Sequence, residues 1–198
     1  MYKHFIKRIC DIIIGILALP FVLFTIIIVG PFIYFEDRGP IFFLGPRIGY
    51  GGKTFKMFKF RSMRVNAEDI RTADGSTYNA ADDPRVTKVG RFLRNTSIDE
   101  IPQFINVLLG QMSFVGNRPD TPRMLNVYTD EEKKYLFSLR PGITGYNQAY
   151  FRNSSDSKTK ISNDIYYVKN ISFWMDIKII IRTIKTVICR ENIYRSDC

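Results

Sequence analysis

Asp99 and Glu100 stand side by side in the stretch Thr96-Ser97-Ile98-Asp99-Glu100-Ile101-Pro102-Gln103. Between Pro84 and Pro119 they are the only acids, while Arg85, Lys88, Arg91, Arg94 and Arg118 occupy the same interval. A carboxylate pair set among cations stays ionised and lies where phosphates gather. Such a group can hold a divalent cation or attack phosphorus, because a carboxylate is a competent nucleophile once the phosphoryl group's own charge is neutralised. Other chemistries lack their residues. The single histidine, His4, makes His-based acid/base work and Ser-His triads improbable. Cys10, Cys189 and Cys198 are too scattered for a zinc site or a disulfide framework, which fits a reducing compartment. No P-loop or GxGxxG occurs.

Adjacency of two acids says little alone, since Glu36-Asp37, Glu68-Asp69, Asp82-Asp83 and Glu131-Glu132 share it. The competing reading is a helix cap, and Ser97-Ile98-Asp99-Glu100 has the capping-box pattern. With Ser97 as N-cap, however, Pro102 would fall where its missing N–H should have bonded. An N-cap at Asp99, Glu100 or Ile101 places Pro102 among the free N–H positions instead. Cap and reactive group remain open alternatives, and one residue can be both.

Phosphate ligands are expected from Lys59 and Arg61 in Phe58-Lys59-Phe60-Arg61, from Arg94, from Arg118 in Gly116-Asn117-Arg118-Pro119, and from Arg140 in Arg140-Pro141-Gly142-Ile143-Thr144-Gly145. Each also reads as an ordinary surface charge. The two Arg-Pro elements are rigid turns able to fix an arginine's direction.

The elements that must position these groups are partly legible. The chain has 198 residues, 45% hydrophobic, with a formal charge of +10 and pI near 9.6, so its partner should be anionic. Residues 9 to 35 are almost wholly apolar, with Asp11 the single charge near the start. About twenty such residues can span a bilayer. Pro20 interrupts the run, and Lys3, Lys7 and Arg8 before it face a long basic stretch after it, including Arg38, Arg47 and Lys53. Both flanks should prefer the cytoplasmic side. A helix broken near Pro20 that dips into one leaflet and returns is therefore favoured over a straight span. We expect a re-entrant membrane segment over residues 1–35 and one cytoplasmic domain over residues 36–198.

Within that domain, residues 39 to 64 read as a strand hairpin around Gly49, Gly51 and Gly52, and residues 66 to 84 as a polar surface loop or a short helix with a lid-like loop. Helices are predicted over 85–94, 102–112 and 130–139. Residues 171 to 190 form an amphipathic pattern with Ile177, Ile180, Ile181, Ile184 and Ile188 on one face and Lys178, Arg182 and Lys185 on the other. With Phe173 and Trp174 at its start, this helix either lies in a bilayer surface or faces the core. The fold class is α+β and helix-rich, with amphipathic interfacial helices.

Taken together, Lys7-Arg8 with Asp11, Gly39-Pro40-Ile41-Phe42-Phe43, Phe58-Lys59-Phe60-Arg61-Ser62-Met63, Ser97 to Gln103, Met112-Ser113-Phe114-Val115-Gly116 and Arg140 to Gly145 resemble the bacterial sugar transferase family, the small monotopic phosphoglycosyl transferases. The likeness runs the length of the chain. It implies transfer of a sugar 1-phosphate from a UDP-sugar to undecaprenyl phosphate with release of UMP, at the cytoplasmic face of the bacterial inner membrane, in contact with membrane lipids and upstream of further glycosyltransferases. It further implies Asp99 as nucleophile holding a covalent phosphosugar, Glu100 as its assistant, and Mg2+ held by both. The chain departs from the family in carrying Asn117 where proline usually precedes the arginine, and in the short spacing from Asp11 to Pro20. The rival reading is a non-catalytic, membrane-tethered basic adaptor for nucleic acid or acidic lipid. No nucleic-acid motif supports it, and nucleic acid is not expected as a partner.

Overall fold

The computed structural model describes residues 2–70, 78, 80, 82–152 and 154–189. Much of the expected polar loop, at 71–77, 79 and 81, and the tail that holds Cys198 lie outside them. After a π-helical turn at Tyr2–Ile6, one α-helix, α1 (Lys7–Asp37), carries the apolar run without interruption through Pro20 and Pro31, so the helix is not broken near Pro20 as expected. It ends where Arg38 turns left-handed, φ 57°, and donates its N–H to the Tyr34 carbonyl. Lys7, Asp11, Gly15, Val22, Thr25, Gly30 and Ile33 form its buried stripe. The rest is exposed and apolar: its most hydrophobic 18-residue window has a mean hydropathy of 3.1 and is only 17% buried. Water does not support such a surface, and lipid does.

Both ends of α1 grip the same folded body. At its start Lys7 pairs with Asp176, and Asp11 accepts from the Ser113 hydroxyl and the Phe114 N–H. At its end Glu36 accepts from the N–H groups of Lys88 and Val89, and Asp37 clamps Arg61.

Strands β1 (Phe42–Ile48) and β2 (Thr54–Phe60) pair antiparallel, Phe42 opposite Phe60 and Ile48 opposite Thr54, with the turn made by Gly51 and Gly52 at positive φ. Helix α2 (Lys88–Thr96) starts three residues later than the spacing predicts, because the Thr87 hydroxyl caps it by accepting from Gly90 N–H. A 3-10 turn, Ile98–Glu100, leads into α3 (Gln103–Leu108). A second small sheet joins β3 (Ser113–Val115) in parallel to β4 (Gly142–Thr144), with the capping-box helix α4 (Asp130–Leu136) between them in sequence. Helices α5 (Tyr146–Tyr150), α6 (Ser157–Asn170) and α7 (Phe173–Ile188) complete a helix-rich α+β architecture.

Three apolar clusters hold it. Ile33, Phe60 and Leu93 join α1 to the hairpin and α2; Met57, Val107 and Met112 join the hairpin to α3; Val115, Leu139, Ala149, Tyr167, Val168 and Ile179 form the main core. Helix α7 fully buries Asp176, Ile179 and Thr186, none of them on its isoleucine-rich face. Of that face Trp174, Ile181, Ile184 and Ile188 are exposed, whereas Ile177 is half-buried and Ile180 packs against the main core, so the face is divided between the two alternatives.

Candidate active site

The dyad sits in the 3-10 turn between α2 and α3, and the local sequence explains the turn. Ser97 adopts a left-handed conformation, φ 59°, which ends α2 and reverses the chain. Glu100 N–H then bonds to Ser97 O and Ile101 N–H to Ile98 O, so that α3 opens with Pro102 as its N-cap. The cap therefore falls one residue beyond the positions the proline register allowed. No carboxylate caps α3: the Asp99 side chain points to a lysine rather than to backbone N–H groups.

Asp99 is 3% exposed. Lys59 Nζ lies 2.8 Å from its Oδ2 and 3.3 Å from Glu100 Oε1, while Arg118 Nη2 donates to Glu100 Oε1 at 2.8 Å. Burial pushes the Asp99 carboxyl above the ordinary range and the neighbouring Glu100 charge adds to this; Lys59 and Arg94 work against them. Burial also acts to raise Glu100, but Arg118 and Lys59 override it and hold that carboxyl well below the usual range. Glu100 in turn pushes the Arg118 guanidinium up. The two acids thus differ: Glu100 is the anion that holds Arg118 and Lys59, and Asp99 is the buried carboxylate whose ion-pair partner among the described residues is Lys59 alone.

Lys59 reaches the dyad because Asn106 ties its strand to α3. The Asn106 carboxamide, fully buried, accepts from Phe58 N–H at 2.8 Å and donates to Lys56 O and to Gln111 Oε1. Arg118 follows β3, and the strand pair is close there: a Cβ on Gly142 would meet Gly116 N at 2.1 Å, so glycine is required for the approach.

Other expected ligands divide. Arg94 donates to Ser62 Oγ at 3.0 Å and acts electrostatically on Asp99. Arg61 does not join the dyad: its guanidinium is buried and held by both Asp37 oxygens and by the Pro40 carbonyl, so it fastens the hairpin to the end of α1. Arg140 also lies elsewhere, donating to Gly110 O and stacking over Tyr50. Among the membrane candidates, Lys7 pairs with Asp176, Arg8 caps the end of α3 by donating to Val107 O and Leu108 O, Pro20 lies within α1, and Trp174 is 71% exposed. One cation was not anticipated. Arg152, in a left-handed conformation with φ 52°, donates to Ser97 Oγ at 3.1 Å and feels both dyad charges and Arg118. Its signal in the sequence, an arginine closing the aromatic run Tyr150-Phe151, is weak.

The arrangement can receive a phosphorylated substrate and present a carboxylate to it. Among the described residues no cluster of three or more His, Cys, Asp or Glu side chains gathers. The dyad's two carboxylates nonetheless suit magnesium, which takes one or two carboxylates when substrate phosphates supply other oxygens.

A long, apolar, largely exposed helix joined to a helix-rich domain, with a buried carboxylate amid arginine and lysine, is compatible with a membrane-anchored protein. The chain belongs to the bacterial sugar transferase family, whose profile matches residues 2–190. It is similar to a UDP-N-acetylgalactosamine-undecaprenyl-phosphate N-acetylgalactosaminephosphotransferase of Aeromonas hydrophila, 38% identical over 93% of this chain and 44% of that protein. It is also 38% identical to an undecaprenyl-phosphate galactose phosphotransferase of Salmonella typhimurium, over 97% of this chain and 42% of that protein. The exopolysaccharide production protein ExoY of Sinorhizobium fredii is 38% identical over 95% of this chain and 88% of its own length. The chain thus spans less than half of the first two relatives and most of the third.

Proposed function

We propose that this chain transfers a sugar 1-phosphate from a UDP-sugar to undecaprenyl phosphate, releasing UMP and initiating a lipid-linked glycan. The observation that carries this reading is the buried Asp99 held by Lys59 beside the Glu100–Arg118 pair. The names of relatives matched across 90% or more of this chain supply the substrate class.

In the first step an Asp99 oxygen attacks the sugar-bearing phosphorus; the bond from that phosphorus to the UMP oxygen breaks and UMP departs with the electron pair. Lys59, Arg118 and Arg152 surround the site with positive charge, offsetting the repulsion between carboxylate and diphosphate. In the second step an oxygen of the lipid phosphate attacks the same phosphorus and returns the carboxylate to Asp99. Magnesium, held by Asp99 and Glu100, would neutralise diphosphate charge. The re-entrant placement of α1 is part of the same proposal: both of its ends are held by one folded domain, and cations flank it on both sides. The site then works at the cytoplasmic face of the inner membrane, where the UDP-sugar is supplied.

The test mixes the chain with UDP-N-acetylgalactosamine, UDP-galactose or UDP-glucose and no lipid acceptor. One equivalent of UMP and a mass gain of one phosphosugar on Asp99 are expected with the correct donor. UMP release only when undecaprenyl phosphate is also present refutes the covalent scheme.

A further inference from the structure

A second concentration of positive charge lies at the end of α3 remote from the dyad. Lys3, Lys7, Arg8 and Arg140 line one small cleft, with Asp11 and Tyr50 on its wall. From Asp99 to Leu108 the chain rises about 13 Å at helical pitch, which separates the cleft from the reacting carboxylate.

The acids nearby are already engaged. Asp176 holds Lys7, and Asp11 accepts from Ser113 Oγ and Phe114 N–H. The two arginines are held by neutral main-chain groups instead: Arg8 donates to Val107 O at 2.7 Å and Leu108 O at 3.2 Å, and Arg140 Nε donates to Gly110 O at 2.8 Å. They converge on one turn, because a Cβ on Gly110, φ 78°, would sit 3.4 Å from Arg8 Nη2. Neither guanidinium forms an ion pair with a carboxylate among the described residues. Two like charges fixed together on carbonyl oxygens repel, and a guanidinium has five N–H donors, of which Arg140 uses only Nε among the described residues. Tyr50 under Arg140 orients that fork. An oxyanion with several acceptor oxygens satisfies all of this.

The surroundings identify its source. Phe5 in the π-helical turn and Ile9 at the start of α1 are exposed, and Tyr2 meets the ring of Phe173, whose neighbour Trp174 is also exposed. Exposed aromatic and aliphatic side chains around a cationic cleft mark a membrane–water boundary. We propose that the Arg8–Arg140 cleft binds the headgroup phosphate of an anionic phospholipid, a resident lipid distinct from any substrate at the dyad. This inference does not depend on the reaction assigned above.

The test is thermal unfolding of the full chain in a neutral detergent, titrated with short-chain phosphatidylglycerol, phosphatidylcholine or inorganic phosphate. Phosphatidylglycerol should raise Tm saturably and phosphatidylcholine should not. Arg140→Gln and Lys3→Gln should each weaken the apparent affinity roughly tenfold, the loss expected for one charged contact; Lys3 makes no side-chain hydrogen bond or ion pair among the described residues, so its variant keeps the fold. Glu131→Gln, on the exposed start of α4, should leave the shift unchanged. An undiminished shift in both cleft variants, or equal shifts from the two lipids, overturns the proposal. An equal shift from inorganic phosphate at the same concentration overturns the assignment to lipid.

Discussion

Lys59 Nζ bridges the two dyad carboxylates, 2.8 Å from Asp99 Oδ2 and 3.3 Å from Glu100 Oε1, so one strand residue contacts both acids. Glu100 has Arg118 as a second cation, whereas Lys59 is the only cation recorded in contact with Asp99 among the described residues. Lys59→Met should therefore fall mainly on Asp99. Burial already pushes that carboxyl up, and loss of the ammonium raises it further. The acid limb of a UMP-release pH profile should move to higher pH, with activity near neutrality down on the order of 10²- to 10³-fold. An unmoved acid limb refutes the assignment of Lys59 to Asp99.

Asp99→Asn separates catalysis from folding. Because the folded-state carboxyl lies above its ordinary value, the folded protein holds that proton where the unfolded chain has lost it. Stability then falls as pH rises through the shifted range, and at neutral pH the ionised side chain burdens the fold. The asparagine variant should lose turnover while its Tm equals or exceeds the parent's at pH 7.5, the margin closing as the pH is lowered. A Tm several degrees below the parent's would show Asp99 to be structural.

Asn106 tests how the lysine is delivered. Its carboxamide makes three hydrogen bonds to the hairpin and to Gln111 from a fully buried position. Asn106→Leu strands those partners without water, at a cost of about 2–3 kcal/mol, or a Tm loss of roughly 5–10 °C for a chain of this size. Calorimetry reads this directly, and a change under 2 °C counts against the tie.

The legibility of this site followed the range of its interactions. The dyad stood out because charge composition alone isolates it between Pro84 and Pro119, and the hairpin because Gly49, Gly51 and Gly52 punctuate two aromatic strands. Lys59 and Arg61 looked equivalent two residues apart, yet Arg61 follows the last residue of β2 and meets Asp37 across 24 positions of sequence, a pairing no local pattern encodes. Arg140 was drawn to the dyad by its rigid turn, but the parallel strand pair sends it to the Gly110 turn. Arg152 was missed because it belongs to no motif in the sequence, and only the fold brings it to Ser97. For α7, composition shows two faces but not which one the core takes.

Behind Arg118 a buried polar knot gives a prediction independent of catalysis. Lys160 pairs with Asp120 at 2.7 Å and with Asp164 at 3.3 Å, and Tyr128 donates to Asp120. Asp164 is 1% exposed, and its Oδ1 has no hydrogen-bond partner among the described residues. Burial, with the Asp120 charge added, outweighs Lys160 and pushes its carboxyl up to about 6. A raised folded-state value means that the folded protein binds this proton more tightly than the unfolded chain. Asp164 is thus harmless below about pH 4 and increasingly costly as pH rises through about 6. From the linkage relation the full change is about 3 kcal/mol. Asp164→Asn removes the titrating group, so the difference in stability between variant and parent should shift in the variant's favour by up to that amount from pH 4 to pH 7. Denaturant unfolding at the two pH values measures it. A difference that stays constant with pH would mean that Lys160 keeps Asp164 ionised throughout, and that this knot is an ordinary buried ion pair.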